Sequence, residues 1–118
     1  MPLDKDISKR KIKLDCELER VVSRIKDLGV QKIILFGSLA KGQISFSSDI
    51  DLIVIKETDK RFIKRLKEVY SHVKPKTAVD ILVYTPQEYR YLLMENEFIK
   101  DISKKGTVIY EQKGERSS

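Results

Sequence analysis

The chain has 118 residues, 41% hydrophobic and 36% charged, with a formal net charge of +6. That is enough apolar material for one packed core and too little length for two ordinary domains, and the charges alternate with apolar residues instead of forming a disordered block. One cysteine, Cys16, and one histidine, His72, exclude an internal disulfide and a Cys/His zinc site and argue against Cys/His catalysis; both are read as packing or surface residues. No apolar run approaches the roughly 20 residues that cross a bilayer, and the first ten residues are charged where a signal peptide is apolar. The expectation is one cytoplasmic domain over 1–118, with a core of about 14–110 and a polar tail over 111–118. No internal repeat or linker interrupts it.

The first predicted element is an amphipathic helix, because Leu14, Leu18, Val21, Val22, Ile25 and Leu28 recur at helical spacing until Gly29. Lys32 to Phe36 reads as a strand buried on both faces. Gly37 to Ser48 is a Gly- and Ser-rich connection with room for a helical turn at Leu39 to Lys41. Asp49 to Ile55 is a second, nearly continuous apolar strand. Thr58 or Asp59 is the predicted cap of a helix whose inner face is Phe62, Ile63, Leu66, Val69, Tyr70 and Val73, ended by Pro75. Ala78 to Tyr84 is the third strand. Thr85, Pro86 and Glu88 form a capping box with proline at the first helical position. Asn96 caps a last helix through Lys105, with Phe98, Ile99 and Ile102 facing inward and Gly106 as its stop, and Thr107 to Tyr110 adds an edge strand.

The basic charge suits a polyanion such as a triphosphate, nucleic acid or an acidic partner without choosing among them. The basic runs Lys9, Arg10, Lys11, Lys13 and Lys60, Arg61, Lys64, Arg65, Lys67 lie in helical segments with an apolar opposite face, so they are read as solvated helix faces. No aromatic-rich basic motif favours a nucleic-acid module; Tyr89 and Tyr91 fall in a helical segment and are expected to pack.

The second strand, the helix after it and the third strand form a right-handed crossover between parallel neighbours, so both strands start at the same edge. Asp49 and Asp51, two apart, leave one face of their strand, and Asp80 stands near the same edge. Three carboxylates gathered beside an apolar core repel one another and lose hydration, which makes sense if cations neutralise them. Magnesium suits an open cluster of oxygen ligands completed by phosphates, and two such ions would serve an in-line phosphoryl displacement. The first strand, paired antiparallel to the second, brings Gly37 and Ser38 beside Asp49 as a phosphate cradle, with Lys41 placed to neutralise a terminal phosphate. Taken singly, a Gly-Ser turn, an Asp-x-Asp pair and a strand aspartate are ordinary surface features. Their combination meets one geometric requirement.

At these residues the sequence resembles the DNA polymerase beta-like nucleotidyltransferase superfamily, in particular its minimal nucleotidyltransferase members. The segment Gly37-Ser38-Leu39-Ala40-Lys41-Gly42 followed by Ser48-Asp49-Ile50-Asp51-Leu52 is similar to that family's signature, and Val79-Asp80-Ile81 to its third-acid strand. The resemblance spans about residues 14 to 110. It implies an α/β (α+β) nucleotidyltransferase fold, a small mixed sheet flanked by about four helices. It further implies that Gly37 and Ser38 contact the triphosphate, with Lys41 and Ser48 in the same nucleotide-binding segment, that Asp49 and Asp51 ligate two Mg2+ ions (Mn2+ as an alternative), and that Asp80 holds the catalytic metal and aligns or deprotonates the acceptor hydroxyl. Lys41 stands where many members have arginine.

Many stand-alone members of this kind are antitoxins beside a helical HEPN-type ribonuclease, and the active ones transfer AMP from ATP to a tyrosine of that toxin. The resemblance therefore implies a protein adenylyltransferase (AMPylation) role in a toxin-antitoxin system. A purely binding antitoxin and a subunit that modifies RNA or a small molecule stand as alternatives, and a homo-oligomer stays open.

Overall fold

The computed structural model describes residues 2–37 and 49–112, with side chains from residue 9 onward. The described elements run α1 (Pro2–Lys26), β1 (Lys32–Phe36), β2 (Ile50–Ile55), α2 (Phe62–Val73), β3 (Val79–Tyr84), α3 (Pro86–Glu95), α4 (Glu97–Lys105) and β4 (Thr107–Glu111). The four strands make one mixed sheet in the order β3-β2-β1-β4. β1 is antiparallel to both β2 and β4, and β2 is parallel to β3, as the crossover predicts. None of the described helices is long and apolar enough to cross a membrane.

Strand alternation divides the core into two layers. Ile33 and Leu35 of β1, Ile50, Leu52 and Val54 of β2, and Val79, Ile81 and Val83 of β3 face Val21 and Ile25 of α1 and Val69 and Val73 of α2. The intervening residues Ile34, Phe36, Ile53 and Ile55 face Tyr89 of α3 and Ile99 and Ile102 of α4. Because both faces are covered, β2 is buried at every position, which explains its unbroken apolar reading.

The helix ends follow local chemistry in most places. Thr85 caps α3 with the full reciprocal box, its hydroxyl accepting from Glu88 N while Glu88 Oε1 accepts from Thr85 N. Asn96 Oδ1 accepts from Ile99 N at the start of α4. At α2 the expectation needs correction: the cap residue is Arg61, without a side-chain cap bond, and Thr58 instead accepts from Lys60 N inside the preceding turn. Ile63 is 62% exposed, and the buried stripe of α2 runs through Arg65, Val69 and Val73, which recur every four residues. In α4, Phe98 is 55% exposed where an inward position was expected, lying about 100° around the helix from the buried Ile99. Tyr91 is likewise exposed, whereas Tyr89 packs in the core.

Two part-buried ion pairs fasten the helices. Glu17 of α1 accepts from Arg20 and from Lys76 N, while Arg20 donates to the carbonyls of Val73 and Lys74 at the end of α2. Arg65 of α2 donates to Lys60 O and Val83 O and forks onto both oxygens of Glu88 at 2.7 and 3.0 Å. The bond from Arg20 holds the Glu17 carboxyl below the usual 4.5, against the opposing effect of burial; Arg65 does the same for Glu88.

A carboxyl whose folded value is depressed binds fewer protons folded than unfolded, so its stabilisation is complete above the ordinary value and is lost as pH falls through the depressed one. Urea unfolding followed from about pH 7 down to pH 3 should therefore show an acid-side decline below roughly pH 4.5. Glu17→Gln should be less stable than wild type at neutral pH and should lose less on acidification. Equal acid slopes for the two proteins would contradict this.

Candidate active site

The site lies at the sheet end where β1 stops and β2 and β3 begin. Phe36, the last residue of β1, pairs with Asp51, and Asp51 pairs in parallel register with Asp80. Register partners share a face of the sheet, so Asp51 and Asp80 stand side by side on adjacent strands, on the face that carries Phe36 and Ile53. Asp51 is 3% exposed, whereas Asp80 is exposed. A buried carboxylate next to an open one is an arrangement that repels itself, and cations relieve it.

Gly37 closes the other side of Asp51. Its φ of +78° is a conformation that L side chains rarely adopt. A Cβ added there would overlap Asp51 Oδ2 and lie 3.1 Å from the carboxyl carbon. Glycine is needed here twice over, for the bend and for the room beside the carboxylate.

Asp49 lies just outside the strand. It occupies a bend one residue before β2, so strand alternation does not fix its direction. Its Oδ1 accepts from Arg10 Nη2 of α1 at 2.8 Å. Among the described residues no three His, Cys, Asp or Glu side chains converge to hold a metal ion, so the expected three-way gathering is not present: the fold joins Asp51 to Asp80, and Asp49 is engaged by Arg10. Ser38, Lys41 and Ser48, and the helical turn expected at Leu39 to Lys41, lie outside the described residues.

Arg10 is a site neighbour that the reading of the basic run as a solvated face passes over. Its signal was present in the helix period, since Arg10 lies one turn before Leu14 and extends the stripe of Leu14, Val21 and Ile25 beyond the core. Tyr70 is a second neighbour found only in three dimensions. Its hydroxyl donates to Val79 O at 3.0 Å and accepts from Ile81 N at 2.9 Å, bracketing Asp80 along the outer edge of β3. Burial pushes the Tyr70 phenol up, the Ile81 N–H opposes this, and the Asp80 charge adds to it. Tyr70→Phe leaves both backbone groups without their partner and should cost about 1–3 kcal/mol, read as a lower urea midpoint with unchanged slope. A midpoint equal to wild type would show that water replaces the hydroxyl at no cost.

Phe98 completes the surroundings, its ring meeting Phe36 edge-on with centroids 6.5 Å apart. A surface hollow of about 700 Å³ lies elsewhere among the described residues, between α2 and α3, lined by Phe62, Tyr84, Tyr91 and Leu92. Asp49, Asp51 and Asp80 do not line it.

Comparison with known proteins bears on the family and the fold. The family model described as polymerase beta, nucleotidyltransferase matches residues 19–115. In three dimensions the chain is similar to a crystal structure of a candidate nucleotidyltransferase from Sulfolobus solfataricus, with a TM-score of 0.63 and 18% identity over 88% of this chain and 86% of the other. At that identity the likeness speaks for the fold: a mixed four-stranded sheet with four helices among the described residues. No functionally curated protein matches the sequence.

Proposed function

Since this chain belongs to the polymerase beta-type nucleotidyltransferase family, we propose that it transfers a nucleoside monophosphate, AMP from ATP, to an acceptor hydroxyl at the sheet end where Asp51 and Asp80 adjoin. The observation that carries this reading is the parallel register of Asp51 with Asp80 beside Gly37. The residues suit magnesium on chemical grounds: the acids offer only oxygen donors, and Gly37 keeps side-chain bulk away from the buried carboxylate. Two Mg2+ ions held by Asp51, Asp80 and Asp49, or Mn2+ in their place, would supply the positive charge that the triphosphate and the leaving pyrophosphate require.

The chain's own residues have separate tasks in this scheme. Asp51, fixed in the middle of a buried strand, provides a rigid anchor. Asp80, open to solvent, faces the acceptor and takes its hydroxyl proton. The acceptor oxygen bonds to the α-phosphorus, the α–β bridging bond breaks, and pyrophosphate leaves with the electron pair. Ser38, Lys41 and Ser48 are the further residues proposed to contact the nucleotide.

A tyrosine of a helical HEPN-type toxin is the proposed acceptor, with the chain acting as antitoxin in the cytoplasm. A protein acceptor is supported by Phe98, an aromatic ring half in solvent next to Phe36 at the site end of β1. The test mixes the protein, Mg2+ and each labelled triphosphate with and without a HEPN-type partner from the same genome. Label from ATP on the partner's tyrosine is the expected result. No transfer under any combination counts against the enzyme, and equal toxin neutralisation by wild type and an Asp49→Ala, Asp51→Ala variant would reassign it to a binding-only role.

A further inference from the structure

Arg10 and Asp49 are 39 positions apart and joined at 2.8 Å. Isolated surface pairs of this kind are usually weak, yet this one occupies an oxygen that the proposed chemistry needs. Arg10 is carried by α1, whose first buried apolar side chain among the described residues is Leu14, one turn later. The packing of Leu14, Val21 and Ile25 therefore fixes where the guanidinium emerges, at the lip of the sheet. Its neighbours Lys9, Lys11, Ile12 and Lys13 are exposed; Lys11 pairs with Asp15 within the helix and does not reach the site. Asp49 itself is 25% exposed and lies at a bend, so its side chain can turn without disturbing a strand.

We propose that Arg10 is a displaceable internal counter-ion of the site: its guanidinium must leave Asp49 Oδ1 before that oxygen can join Asp51 and Asp80 around a divalent cation. Arg10 neutralises Asp49 through Oδ1, and among the described residues Asp49 forms no three-acid group with Asp51 and Asp80. Removing the guanidinium eliminates both a competitor for the oxygen and a nearby positive charge, so divalent ions bind more tightly. Because the guanidinium holds a single oxygen in a half-exposed setting, the competition is modest and reversible, a threshold on ion binding and not a block.

This inference rests on the nucleotidyltransferase reading, and calorimetric titration with Mn2+ separates the two. Wild type, Arg10→Ala, Arg10→Gln, Lys11→Ala and Asp49→Asn are compared, each first checked for the wild-type circular dichroism spectrum. Arg10→Ala and Arg10→Gln should bind Mn2+ roughly fivefold more tightly than wild type, and Lys11→Ala, with the same change in net charge, less than about twofold. In an Asp49→Asn background the Arg10 substitution should lose its effect. If Asp49→Asn weakens Mn2+ binding while both Arg10 variants match wild type or Lys11→Ala, the counter-ion role is overturned and the nucleotidyltransferase reading stands. If no variant binds Mn2+ with or without a non-hydrolysable triphosphate, both fall.

Discussion

Asp51→Asn should lower nucleotidyl transfer by roughly a thousandfold or more while the protein remains folded. The substitution keeps the shape of the side chain and removes one anionic oxygen from the most enclosed carboxylate of the site, 3% exposed and seated between Phe36 and Asp80 in the strand register. Nothing in the apolar part of β2 changes, since Ile50, Leu52, Ile53 and Val54 keep their contacts in the two core layers. The measurement is transfer of labelled AMP together with a Mn2+ titration and a far-ultraviolet spectrum. Activity within tenfold of wild type would remove Asp51 from the machinery and, with it, the proposed function.

Gly37→Ala should fail in two ways at once. The positive φ costs a residue with a Cβ about 1–2 kcal/mol, and the added carbon must displace the Asp51 carboxylate or the backbone that holds it. A shift of 1 Å in a reacting group is worth on the order of a hundredfold in rate, so transfer should drop by about that factor while the thermal midpoint falls by several degrees. Gly29→Ala is the internal control. Gly29 has φ +73° but meets nothing within 4 Å of an added Cβ, so its substitution should lower stability by a similar backbone cost and leave transfer near wild type. Equal activity losses in the two variants would show that backbone strain alone, and not the crowding of Asp51, explains the Gly37 effect.

Much of this arrangement was legible in the chain because its causes are local. The β1 strand follows from the run Lys32 to Phe36, with Ile33, Ile34 and Phe36 as its strand formers, and the starts of α3 and α4 follow from Pro86 at the first helical turn and from Thr85, Glu88 and Asn96, whose side chains bond within three residues. That Asp51 and Asp80 stand near one sheet edge follows from the parallel crossover plus strand period, rules that need only the order of elements, whereas their side-by-side register is a finding of the structure. The misreadings share a different cause. Ile63 and Phe98 are apolar residues at the margin of a helical stripe, and periodicity gives the direction of a buried face but not its width. Arg65 is buried because Glu88 and the Val83 carbonyl receive it from distant segments, a pairing with no local signature. A period-two argument holds only inside a strand, and Asp49 lies one residue outside it, where its carboxylate meets Arg10 from a distant segment.

The lacing along β3 has a consequence for traffic into the site. Tyr70 engages Val79 O and Ile81 N, and Arg65 engages Val83 O, so three outward backbone groups of this outermost strand are committed to side chains of its own covering helix. An extended peptide adding itself there as a fifth strand would have to displace these three bonds. Under the proposed function, an acceptor that leaves those bonds intact comes to Asp80 end-on, from beyond the strand starts, presenting a protruding side chain or terminus instead of lying down alongside the sheet.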